Sequence, residues 1–201
     1  MRINILKSIF FSVFTVLFFP GCEGIGIPST DNPLIKLAQA QELYNTLDRP
    51  LPAERLIRQA IQICKKKKDN ICLAKANIEY GFFFRSPSVE RHIVTYTKNG
   101  FLDKNATYND RYSSSLKYFK KSTKLLHNTQ EYGLLTNAYL NLGFAYGIIK
   151  KTRAECNAYN KSLIYNLKNI RTNKNTKISL PNGEFSFREY VEKRKNRAGC
   201  H

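Results

Sequence analysis

Over residues 33–84 and again over 109–169 the apolar side chains recur every three or four positions, broken by Pro, Gly and polar clusters, which is the period of amphipathic helices. No strand series interrupts it, so the sequence predicts an all-α fold. Asn32-Pro33 joins a capping side chain to Pro at the first helical position, opening a helix to about residue 47 that carries Leu34, Leu37, Ala38, Leu43 and Tyr44. Pro52 opens the next, with Ala53, Leu56, Ile57, Ala60, Ile61 and Cys64 on one face and Glu54, Arg55, Arg58 and Gln62 on the other. A third helix over 73–84 ends in Phe82-Phe83-Phe84 and is stopped by Ser86-Pro87-Ser88. Residues 85–110 hold no sustained period and read as an insertion with one short helix near 89–95. Helices follow at 109–126, 132–149 and 152–169, then a polar linker over 171–182. The last helix starts at Ser186, whose hydroxyl and the Glu189 carboxylate have capping-box spacing, and runs to about 197 with Phe187, Tyr190 and Val191 inward.

Helices in pairs of similar length call for a repeat search. Tyr139, Leu142, Gly143, Tyr146, Tyr159, Ser162 and Leu163 follow one another at the intervals of the tetratricopeptide motif, and this segment resembles one unit of that family over 136–169. Glu155 stands where the family has a small residue and Leu167 where it has Pro. Leu37, Ala40, Tyr44, Ala53, Ile57, Ala60 and Ile61 keep the same ruler, with Gln41 as the misfit. Between them, residues 76–84 resemble 138–146, placing Gly81 against Gly143, and Phe119 to Ser122 resemble Tyr159 to Ser162. The middle unit is longer by 22 residues, the length of its insertion. The resemblance covers about 34–169 and implies a helical-hairpin repeat array, a tetratricopeptide-like solenoid, with the terminal helix as its cap.

The N-terminus has Arg2 and Lys7, an apolar run over 8–19, then Pro20-Gly21-Cys22, the order of a secretory signal. That run is too short for a membrane span of roughly 20 residues. Gly21-Cys22 resembles a bacterial lipobox, which implies a lipidated Cys22 on the outer membrane; cleavage without lipid is the alternative. The chain therefore divides into a signal over 1–21, a tether over 22–33 and a helical domain over 34–201. In an exported chain Cys64, Cys72, Cys156 and Cys200 are expected to pair. Cys64 and Cys72 flank a lysine-rich stretch that would turn between antiparallel helices, which leaves Cys156 for Cys200. A zinc site using these cysteines with His92, His127 or His201 fits no CxxC module.

The sequence holds no HExxH, Gly-rich phosphate loop or GxSxG elbow, and Glu79, Glu90, Glu131 and Glu155 fall on separate elements, so we expect neither an enzyme nor a cofactor or metal. Lys and Arg number 33 against 15 Asp and Glu, a formal charge of +18. Such charge favours anionic partners, and export argues against nucleic acid. The expectation is an envelope protein, anchored through Cys22, that binds an acidic protein partner. An immunity protein that neutralises a toxin delivered to the periplasm is the alternative. In tetratricopeptide arrays the first helix of each pair lines the binding groove, which here nominates Gln41, Asn45, Asn77, Asn137 and Asn141, with Arg85 and Arg91 at its edge and the 85–110 insertion beside it.

Overall fold

A computed structural model describes residues 26–173 and 186–200; the signal segment, Cys22, His201 and most of the expected linker lie outside the described residues. Within them the chain folds into helices α1 (Pro33–Asn45), α2 (Pro50–Lys66), α3 (Asn70–Phe84), α4 (Pro87–Arg91), α5 (Ile93–Asn99), α6 (Arg111–Leu126), α7 (Tyr132–Ile148), α8 (Thr152–Thr172) and α9 (Phe187–Ala198), with no strand. None of these helices is long and apolar enough to cross a membrane.

Side-chain caps fix several of the starts. Asn32 Oδ1 accepts from Leu34 N at 2.9 Å, Asp69 Oδ1 from Cys72 N at 2.9 Å, Ser86 Oγ from Val89 N at 3.3 Å and Ser186 Oγ from Glu189 N at 3.1 Å. The Asp69 cap begins α3 at Asn70, three residues before the apolar period becomes visible in the sequence. Pro50, at the first position of α2, starts that helix ahead of Pro52, since neither ring needs a hydrogen-bond donor in the first turn.

The chain packs as three antiparallel pairs: α1 with α2, α3 with α6, and α7 with α8. Successive pairs meet where α2 and α1 touch α3, where α6 touches α7, and where α8 touches α9. Within two of the pairs a glycine lets the backbones close. A Cβ on Gly81 would lie 2.8 Å from Phe119 Cζ, and one on Gly143 would fall inside the Tyr159 ring contact. Both rings are fully buried. Thus α3 meets α6 in the register in which α7 meets α8, although the first pair is interrupted by the insertion.

That insertion forms two helices rather than one, the chain bending at His92, and it belongs to the core. Val89, Tyr96, Phe101 and Ala106 are buried with residues of α1, α2 and α3. Phe101 lies 4.4 Å from Tyr96, ring centre to ring centre, and 4.8 Å from Phe84. Phe83 and Phe84 are both wholly buried, so the insertion covers apolar surface at the end of α3 that a single partner helix leaves open.

Glu54, which the helical period puts on the polar face of α2, is 1% exposed. Its carboxylate accepts from Tyr80 Oη at 2.5 Å and from Leu102 N at 2.8 Å. It therefore ties the insertion to α2 and α3, and the paired backbone donor offsets the cost of burying it. Burial pushes its pKa up to about 7.

Two disulfides complete the frame. Cys64 and Cys72 are joined across the α2–α3 turn, and Cys156 to Cys200 pins the end of α9 to α8. All four sulfurs being bridged, none is left for a zinc site, and no metal-binding group occurs among the described residues. Phe187 and Val191 of α9 pack on Tyr159, Leu140 and Phe144, while Tyr190 is only partly buried.

Candidate partner-binding surface

The first helices of the three pairs, α1, α3 and α7, meet around a small polar and aromatic cluster centred on Arg85. This residue ends α3, where the Ser86-Pro87 step halts the helix and leaves the guanidinium facing α7. Its charged group stacks over three rings, Phe82 and Phe119 at 5.1 Å and Phe144 at 5.8 Å. One Nη2 donates to Asn141 Oδ1 on α7. Arg194 of α9 covers Phe144 from another side at 5.2 Å. Burial lowers the Arg85 pKa to about 10, well above neutrality, so the group remains a cation. No carboxylate of the described residues pairs with it. A half-buried guanidinium whose polar partner is a single amide keeps unfilled N–H donors, and such a group recognises carboxylates or phosphates.

Asn141 is the second member of the cluster. It is 7% exposed, and its Nδ2 donates to the Asn137 carbonyl at 2.9 Å and to Asn137 Oδ1 at 2.7 Å, which fixes its carbonyl oxygen toward Arg85. Beside them Tyr44 of α1 donates to Glu79 Oε1 of α3 at 2.5 Å. Burial raises both groups, Glu79 against the opposing effect of that hydrogen bond.

The nominated residues divide. Arg85, Asn137 and Asn141 come together as one hydrogen-bonded chain, and Gln41 and Asn45 are exposed on α1. Asn77 corrects the expectation: it is 4% exposed, donates to the Leu73 carbonyl at 2.7 Å and faces the space between α2 and α6. It occupies the position of α3 that matches Tyr139 of α7, an inward one, so a polar residue there turns its amide back onto its own helix. Arg91 also sits apart, ion-paired to Asp48 at 2.8 Å at the end of α1. Val89, Tyr96, Phe101 and Ala106 of the insertion pack into the core, while Ile93, Val94 and Leu102 are exposed. Sequence reasoning did not single out Glu79 or the half-buried Phe82 and Phe144 for this surface; the signal for the two rings is the predominantly apolar character of α3 and α7.

No protein-family model matches the chain, and no curated protein or solved structure matches it either.

Proposed function

We propose that the chain is an exported, lipid-anchored module of the bacterial envelope, a tetratricopeptide-like array that binds an acidic protein along α1, α3 and α7. The observation that carries this reading is the repeated register of the helix pairs, Gly81 under Phe119 and Gly143 under Tyr159, kept across a long insertion. Stacked helix pairs of this kind build extended surfaces from their first helices. The Arg85 cluster lies on that surface, and its unfilled donors favour a partner that offers a carboxylate.

The test is site-specific photo-crosslinking in cells that secrete the protein, with the probe at Asn45 or Asn137 on the first helices or at Gln62 on α2. One discrete adduct from the first two positions, weakened by Arg85→Glu, is expected. Adducts from Gln62 alone would overturn the assignment. Activity of the captured protein then separates the readings: a toxin silenced in the complex makes the chain an immunity protein, and any other partner makes it a scaffold. Intact mass of the secreted protein tests the anchor, since lipidated Cys22 must be its first residue.

A further inference from the structure

We propose that the groove between α2 and α6, with the lysines around it, is a docking face for an anionic phospholipid surface. The groove encloses about 330 Å³, with Arg58 and Lys65 of α2 on one rim, Lys121 and Lys124 of α6 on the other, and Leu73 and Leu125 among its apolar lining. A shallower depression of about 430 Å³ continues along α6 past Lys117 and Lys120. Lys65 leads directly into Lys66, Lys67 and Lys68, an exposed turn that the Cys64–Cys72 bridge closes. The positive charge therefore forms a continuous, fixed strip over two helices and a stapled turn.

Counter-charge on this strip is sparse. Asp103 stands 3.7 Å from Lys117, and Asp69 spends its carboxylate on the α3 cap. Among the described residues neither Lys121 nor Lys124 forms an ion pair with a carboxylate, although the charge of Asp103 reaches Lys121, which lies 4.6 Å over the Tyr118 ring. Burial, then the charges of Lys117, Lys65 and Arg58, depress the Lys121 pKa against the opposing charge of Asp103, so the surrounding cations outweigh the one nearby carboxylate.

The type of cation indicates the occupant. Recognition of a protein carboxylate favours guanidinium forks in a convergent pocket, whereas these are almost all lysines, point charges on flexible stems spread along an open face. Arg58, the one guanidinium, is committed to the neighbourhood of Tyr118 and Asp103. Dispersed ammonium groups match the phosphates of a bilayer surface, where each contributes about independently of the next. The apolar lining lets the lysine stems lie flat while their heads reach the lipid.

The experiment uses the full chain carrying Cys22→Ser, oxidised at both disulfides, so that no acyl chain contributes and the result does not depend on the anchor or on the protein partner. Co-sedimentation compares phosphatidylcholine vesicles with vesicles that contain about 30% phosphatidylglycerol. Binding to the second alone, weakened by added salt, is expected. Lys121→Gln with Lys124→Gln should lower the partition coefficient about 30-fold. Lys151→Gln with Arg153→Gln removes the same charge at the start of α8 and should change it by about twofold or less. Circular dichroism and urea midpoints establish that both variants fold. Equal binding to the two vesicle types, or equal losses in the two variants, would overturn the proposal. So would capture of polyglutamate by the groove lysines without vesicle binding, which would make the strip a protein site.

Discussion

Replacing Gly81 by Ala tests the contact on which the α3–α6 pairing rests. In an exposed helix the change would stabilise by about 1 kcal/mol, because Ala loses less backbone freedom on folding. Here the new methyl would stand 2.8 Å from Phe119 Cζ and 2.9 Å from Cε1 and Cε2, well inside contact distance. The ring has nowhere to go, being fully buried, 5.4 Å from the Phe82 ring and beneath the Arg85 guanidinium. Backbone separation is resisted as well, since Ser115 Oγ of α6 donates to the Gly81 carbonyl at 2.7 Å. Overpacking of this kind costs about 1–3 kcal/mol, which offsets the propensity gain or exceeds it, so a net loss of up to about 2 kcal/mol is expected. The assay is urea unfolding with the disulfides intact, read as a lowered midpoint at constant slope. Gly133→Ala is the internal control: its methyl meets Asn169 Oδ1 at 3.4 Å, an ordinary contact, and should raise stability by about 0.5 kcal/mol or more. In the double variant Gly81→Ala, Phe119→Leu the smaller side chain makes room, so the two losses should fall short of additivity by at least about 0.5 kcal/mol. A Gly81→Ala chain more stable than the parent, or strict additivity, would refute the close approach.

Three further outcomes follow from the same packing. Arg85→Met should keep the urea midpoint or raise it, since the thioether fills the space over the three rings without an uncompensated buried charge, while Arg85→Ala should lose about 2 kcal/mol with its packing. Removing the Cys156–Cys200 bridge by double Ser substitution should cost about 4 kcal/mol for its separation of 44 residues, against about 2.5 kcal/mol for the Cys64–Cys72 bridge with its separation of 8, measured by the same titrations. The Glu54 carboxyl, pushed up to about 7 by burial, binds its proton more tightly folded than unfolded. Its stabilising effect is present at pH values below the ordinary carboxylate range and is lost as pH rises through 7, by up to about 3 kcal/mol, so Glu54→Gln should flatten the decline in stability between pH 5 and 8.

What the sequence made legible is what depends on local spacing. Helix starts at Asn32 and Ser186, the glycine and aromatic pairs Gly81–Phe119 and Gly143–Tyr159, and both disulfides each follow from residues whose relation is set by a helical period or a short turn. The polar interior was illegible for the opposite reason. Glu54 is buried because a backbone N–H 48 residues away arrives to bond it, and Arg85 meets Asn141 across 56 residues. No period records such a meeting: a carboxylate on the flank of an apolar face looks the same whether the next element brings a donor or water. Asn77 was misplaced in the same way, its inward direction being set by the pairing of α3 with α2 and α6.

The insertion carries a sequence signal of its own, in the residues that precede it. Phe82-Phe83-Phe84 gives the last turn of α3 apolar side chains all round, which one antiparallel partner and one neighbouring helix cannot cover. A segment without helical period that follows such a turn, and that itself carries Tyr96 and Phe101, has an apolar surface to cover and the aromatic groups to do it. Excess apolar surface on one element is thus a statement about the irregular chain beside it. Docking of residues 93–106 onto α3 follows from that balance, and the buried carboxylate of Glu54, which receives Leu102 N at 2.8 Å, is the polar contact that fixes where the segment lands.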